Sequence, residues 1–169
     1  VISGCTVRNY TNRFVYVSLS GKIESLTIDD CIFIGADNST TNKAIYASSA
    51  HTQVETLSVT NSTFLNFNTG SNYFFRINYD RRGVYLYNAG RSTIKNCISA
   101  FSERRDDTKS FTAYGDESIV KNVISYNVDL YGSAPKENII SKNPLFVDAE
   151  NGNFQLYKDS PAVGAGDDG

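Results

Sequence analysis

The chain has 169 residues, with 16 basic and 18 acidic side chains and a formal charge of −2. One domain is the default for that length, and the near balance of charge excludes a nucleic-acid binder driven by bulk positive charge. No apolar run approaches the ~18 residues a membrane span needs, and a hydrophobic fraction of 40% is enough for a core rather than a disordered chain. Asn, Ser and Thr together supply 49 residues, while Met and Trp are absent. That mixture is poor in helix formers and rich in β-branched and turn residues, so a mostly helical fold is disfavoured. Val1 opens an apolar pattern with no initiator Met, basic leader or signal-like core. It reads as a mature protein or an excised fragment.

One phrase recurs along the chain: an apolar residue, two polar or turn-prone residues, a small residue, then further apolar positions. In chain order it reads Ile2-Ser3-Gly4-Cys5-Thr6-Val7, Ile28-Asp29-Asp30-Cys31-Ile32-Phe33, Val59-Thr60-Asn61-Ser62-Thr63-Phe64 and Ile94-Lys95-Asn96-Cys97-Ile98-Ser99. Weaker copies are Val120-Lys121-Asn122-Val123-Ile124 and Ile140-Ser141-Lys142-Asn143-Pro144-Leu145. The anchor positions 5, 31, 62, 97, 123 and 143 lie 20 to 35 residues apart. Each copy reads as two short strands joined by a tight corner, whose Asn or Asp suits left-handed backbone.

Between copies lies a third strand-like run: Phe14 to Ser20, Ala44 to Ser49, Val84 to Asn88, Phe111 to Tyr114 and Val128 to Tyr131. Three short strands per unit predict an all-β chain, a parallel β-helix of about five to six coils. Loops leaving such a solenoid can vary in length while the strands stay in register. A β-sandwich also has short alternating strands, but it has no reason to repeat one corner phase.

Cys5, Cys31 and Cys97 share that phase. They are expected to face inward, in a column with Ser62 and Val123, as inert buried thiols. An odd count argues against a disulfide scaffold. A Cys5–Cys31 bridge is the alternative that neighbouring coils allow, although parallel in-register side chains suit its dihedral poorly. With no CxxC and a single His, no metal site is expected.

The corner phrases at 28–31 and 94–97 resemble right-handed parallel β-helix proteins of the pectate-lyase-like superfamily. The stretches Asn143-Pro144-Leu145-Phe146-Val147-Asp148, Asn151-Gly152-Asn153-Phe154-Gln155-Leu156 and Ser160-Pro161-Ala162-Val163-Gly164-Ala165-Gly166 resemble the closing segment of secreted bacterial members. Among these are chondroitinase-B-like polysaccharide lyases and β-helix domains of Bacteroidetes. The resemblance implies coils over 1–142 and a last coil with a C-terminal cap over 143–169, in one domain. It also implies a secreted, periplasmic or bacterial cell-surface location, as the C-terminal portion of a larger polysaccharide-processing protein.

The closing segment has its own reading. Glu150-Asn151-Gly152-Asn153 between apolar runs signals a hairpin. The Asp148/Glu150 spacing is a turn before it is a calcium loop. The Ser-Pro and Gly-rich chain beyond suits a stop covering the last coil.

Alternation on the third strand places Val15, Val17, Ile45, Ala47, Val84, Leu86, Phe111, Ala113, Val128 and Leu130 inward. Tyr16, Tyr46, Tyr85, Tyr87, Tyr114 and Tyr131 then point outward, with Ser18, Ser48, Thr112 and Asp129. Rungs about 4.8 Å apart make this a stripe roughly 20 Å long. In the family it resembles, that sheet and the loops before it bind polysaccharide, and tyrosine rings suit sugar C–H faces with their hydroxyls wet. Packing under long loops and a plain exposed surface are the other readings.

Two insertions lead into the strand, about 66–83 and 102–110. They carry Arg81, Arg82, Arg104 and Arg105, whose forks match carboxylate or sulfate groups. Pairing with Asp80, Asp106 and Asp107 within the loops is the alternative.

The expected function is a carbohydrate-binding module with a polysaccharide or oligosaccharide partner, acting as a monomer or against further coils. A lyase of an acidic, uronate-containing glycan is the second reading. Its nearest set is Arg105, Lys109 and Tyr114, with calcium held by Asp106 and Asp107 as an option. A structural or adhesin spacer is the third. An inverting hydrolase would need an aspartate cluster on the third strand, and there only Asp129 projects. His51 reads as an exposed loop histidine.

Overall fold

Each repeat turns on a residue in left-handed backbone, and those turns set the register of everything else. The computed structural model describes residues 1–10, 13–17, 21–35, 43–47, 52–65, 75–77, 89–100 and 109–167. Sixteen strands and no helix occur among them. They are β1 (Ile2–Ser3), β2 (Thr6–Tyr10), β3 (Arg13–Val17), β4 (Gly21–Asp29), β5 (Ile32–Gly35), β6 (Lys43–Ala47), β7 (Thr52–Thr60) and β8 (Thr63–Leu65). There follow β9 (Phe75–Ile77), β10 (Ala89–Ala100), β11 (Lys109–Thr112), β12 (Ile119–Tyr126), β13 (Asp129–Tyr131), β14 (Lys136–Ile140), β15 (Phe146–Asp148) and β16 (Asn153–Leu156).

All pairings but one are parallel, and they join strands of successive repeats. On one side of the corner β1, β4, β7, β10, β12 and β14 lie in order; on the other, β2, β5, β8 and the far half of β10. The two sides form one curled nine-stranded sheet, because β10 and β12 run through the corner. A third stack is built of β3, β6 and β9, and a further parallel pair of β11 and β13. This is the all-β, parallel arrangement the repeat predicts.

The corners carry the expected conformation. Asp30, Asn61, Asn96 and Asn122 have φ of 52, 50, 52 and 53°, and Gly4 has 64°. The sixth repeat requires a correction. Register pairs Val123 with Ile139, and Asn138 takes φ 49°. The anchor is therefore Ile139, not Asn143. Lys136-Glu137-Asn138-Ile139-Ile140 matches Val120-Lys121-Asn122-Val123-Ile124 at its corner. The copy escapes notice because Lys136 stands where every other repeat has an aliphatic residue. Its ammonium caps the carbonyls of Gly132 and Ala134 at 2.7 and 3.4 Å.

The corner asparagines form a ladder. Asn138 Nδ2 donates to Asn122 Oδ1 (2.9 Å), Asn122 to Asn96 (3.1 Å) and Asn96 to Asn61 (3.2 Å). Asn61 Nδ2 ends the series on the carboxylate of Asp29 (2.9 Å), which also accepts the Thr60 hydroxyl (2.6 Å). One residue type thus supplies both the left-handed turn and a donor–acceptor pair between rungs.

At the Asp29 end, the Thr60 hydroxyl and then the Asn61 amide hold the carboxyl below its usual 3.8. Near the other end, Asp167 is lowered in the same way, first by Lys121 and then by Asn122. Both carboxyls are depressed in the folded chain. Their stabilisation is therefore present above 3.8 and is lost as pH falls through the lower folded values. The melting temperature is expected to drop below that pH, and Asp29→Asn to flatten the acid limb. An identical acid slope in the variant would remove Asp29 as a cause.

Inside the curl the columns are mainly apolar, with buried serines among them. Ile28, Val59, Ile94 and Val120 form one, and Phe33 and Phe64 belong to another; all are buried. Phe33 and Phe64 stack at 5.1 Å and 6°, and Phe64 meets Phe111 of the third side edge-on at 5.3 Å. Ser99 is fully buried next to Phe64 in register, and its hydroxyl has no hydrogen-bond partner. A buried hydroxyl without a partner is a net cost. Ser99→Ala is accordingly expected to raise unfolding free energy by about 1 kcal/mol in urea titration. A loss of stability would mean the hydroxyl is satisfied after all.

The closing segment forms the expected hairpin, β15 antiparallel to β16. The Asp148 carboxylate accepts the backbone and side-chain N–H groups of Asn151 at 2.9 to 3.3 Å, as a turn cap. Gly152 sits at φ 89°, where a Cβ would strike the Arg8 guanidinium. Arg8 also lies over the Phe154 ring, 5.4 Å from its centroid. Further on, Ala165 accepts from Asn138, and Asp167 accepts from Asn122 and Lys121. The segment's contacts thus run from Asn138 on β14 back along the flank to Arg8 on β2. Leu65 and Ile124, which register puts at the same parity as Arg8, are buried.

Candidate functional site

The third side is where the predicted binding residues meet the structure. Register pairs Val15 with Ile45, Tyr16 with Tyr46, and Val17 with Ala47. It then pairs Ile45 with Phe75, Tyr46 with Arg76, and Ala47 with Ile77. Alternation therefore gives Tyr16, Tyr46 and Arg76 one shared parity, opposite an apolar set. Adjacent members stand one strand spacing, about 4.8 Å, apart along the stack.

Arg76 was missed as a member of this row. The sequence reading placed 66–83 in an insertion and the strand at Val84 to Asn88. The structure puts β9 beside β6, while Val84 to Asn88 lie outside the described residues. The signal was available: Phe75-Arg76-Ile77 repeats the apolar–polar–apolar order of Ile45-Tyr46-Ala47. It was masked by the stronger run of tyrosines downstream. Tyr85 and Tyr87 lie outside the described residues, as do Arg81, Arg82, Arg104, Arg105, Asp106, Asp107 and His51.

On the β11–β13 pair, Lys109 stands opposite Asp129 and Thr112 opposite Tyr131, with an irregularity between. Phe111, Ala113 and Val128 are buried and Leu130 packs against the core, as the alternation predicts. Tyr114 and Tyr131 come together edge to face, with centroids 6.1 Å apart. Tyr131 is 41% exposed, and Asp129 is exposed beside it. The turn under this pair leaves no room for change. Gly132 has φ 107°, and a Cβ there would run into the Ala113 carbonyl. That carbonyl accepts from Ala134 at 3.2 Å, while Ala113 donates to Tyr131 at 3.0 Å.

Register therefore puts two tyrosines and an arginine at one parity along β3, β6 and β9, and a lysine opposite an aspartate on the β11–β13 pair. The described residues contain no group of three or more acidic, Cys or His side chains able to hold a metal ion. They also contain no helix long and apolar enough to cross a membrane. No family model, curated protein or solved structure matches this chain.

Proposed function

We propose that the chain is a secreted right-handed parallel β-helix module, of the pectate-lyase-like kind, that binds a polysaccharide along its third side. The observation that carries this reading is the in-register row Tyr16, Tyr46, Arg76; the Tyr114–Tyr131 pair at the β11–β13 sheet adds a further aromatic contact. Tyrosine positions one rung apart suit the successive apolar faces of a glycan chain laid along the stack. The arginine position favours a chain bearing carboxylate or sulfate. Asp129 is the one described aspartate on β11 or β13, which weighs against an inverting hydrolase there.

Affinity electrophoresis through gels containing pectate, alginate or chondroitin sulfate tests the proposal. Retardation by at least one of them is expected. Tyr46→Ala combined with Tyr131→Ala is expected to weaken it roughly thirtyfold, since each ring contact contributes on the order of 1 kcal/mol. Equal retardation of the folded double variant would remove the tyrosine row as the binding surface. An absorbance rise from unsaturated uronate in the same mixtures would replace the binding reading with the lyase one.

A further inference from the structure

The three cysteines are not equivalent. Cys31 and Cys97 are buried at 1% exposure, whereas Cys5 is half-buried, a departure from the expected column of inert thiols. Register brackets Cys5 against Cys31: Ser3 pairs with Asp29 on one side and Thr6 with Ile32 on the other. The Cys5 carbonyl accepts from Ile32 at 2.8 Å. In-register residues on adjacent parallel strands have Cα atoms about 4.8 Å apart, inside the range of roughly 4.4–6.8 Å for disulfides, and the half-buried Cys5 side chain at the first rung has room to turn out of the parallel orientation that suits the dihedral poorly.

Cys31 Sγ has the placement common to this column, which Cys97 Sγ shares against Lys95 and Val59. It lies 3.2 Å from its own Asp29 carbonyl and 3.7 Å from that of Ile2. Cys97 is separated from Cys31 by the rung that carries Ser62, so that pair is about two spacings apart, beyond bridging distance.

We propose that Cys5 and Cys31 are a disulfide-forming pair that locks the first repeat onto the second, with Cys97 left as a free thiol. The oxidant is a small disulfide such as oxidised glutathione. The Cys5 thiolate attacks one sulfur and releases the first glutathione thiol. Cys31 then gives up its proton and attacks the Cys5 sulfur of the mixed disulfide, releasing the second. Two protein thiols and one oxidised glutathione become one protein disulfide and two glutathione thiols. The bond closes a loop from residue 5 to residue 31 that is open in the reduced unfolded chain. Oxidation is therefore expected to raise the melting temperature by roughly 5–10 °C. This inference does not depend on the glycan reading.

The test is to equilibrate the reduced chain with oxidised glutathione, digest it with trypsin without reduction, and weigh the fragments. A linked pair of peptides 1–8 and 23–43 is expected, with Cys97 titrating as the one remaining thiol. Cys5→Ser should abolish both the link and the rise in melting temperature. Serine is tolerated at this column position, because Ser62 occupies it and donates to the carbonyl two residues back, as Cys5 does. Three free thiols after equilibration, glutathione retained on Cys5 without closure, or a link through Cys97 would each overturn the proposal.

Discussion

Phe64→Ala is expected to lower the unfolding free energy by about 3–5 kcal/mol, the range for removing a fully buried aromatic ring. For a chain of this length that is a fall in melting temperature of roughly 10 °C. The ring is fully buried, stacked on Phe33 and edge-on to Phe111. It therefore ties the second strands of two repeats to the third side of the next. Removing it leaves a void between three strands, and a rigid stack of parallel rungs closes such a void poorly. Phe64→Leu keeps much of the volume and should lose well under half as much. Urea titration of the three proteins decides the point. An alanine variant within 1 kcal/mol of wild type would show that Phe64 is not in the interior.

Asn96→Val is the second large effect, expected at about 2–4 kcal/mol. Left-handed backbone costs an ordinary L-residue about 1–2 kcal/mol, more for a β-branched one. Two ladder bonds are lost as well, from Asn96 to Asn61 and from Asn122 to Asn96, at about 0.5–1.5 kcal/mol each. Asn96→Gly separates the two contributions. It keeps the φ of 52° without strain but removes the amide. Its loss should be about 1–2 kcal/mol. A valine variant no worse than the glycine one would mean that backbone conformation contributes nothing at this corner.

These two residues also show how much the sequence discloses. The corner asparagines were legible because left-handed backbone selects few residue types, and the same type returned at the same phase. The ladder between them was not, since hydrogen bonding across repeats depends on register that no single repeat contains. The inward place of Phe111 followed from alternation on the third strand. Phe75-Arg76-Ile77 did not, because three residues are too short to show a period and a longer tyrosine-rich run competed for the place. The sixth corner at Asn138 was hidden by Lys136, a charged residue at an inward position. Such a residue is tolerated only because the stack ends there and its ammonium reaches carbonyls in the preceding turn.

The C-terminal segment shows the same division. Its hairpin was local, set by Asn151-Gly152 between apolar runs. Its path along the flank was not, because the contacts of Arg8 with Phe154 and of Asp167 with Lys121 join residues far apart in the chain. On the third side, the inward parity of Phe111 and Ala113 was readable from alternation, whereas the place of Arg76 beside Tyr46 required the register of β6 and β9.

The central claim is that successive repeats stack in register about the corner asparagines. The direct measurement is a nuclear Overhauser spectrum of the isotope-labelled chain with the asparagine side-chain amides assigned. The account predicts cross-peaks linking Asn138 to Asn122, Asn122 to Asn96, and Asn96 to Asn61, with no direct peak that skips a rung. Assigned amides of these four residues lacking mutual cross-peaks, with long-range contacts of antiparallel strands in their place, would contradict it.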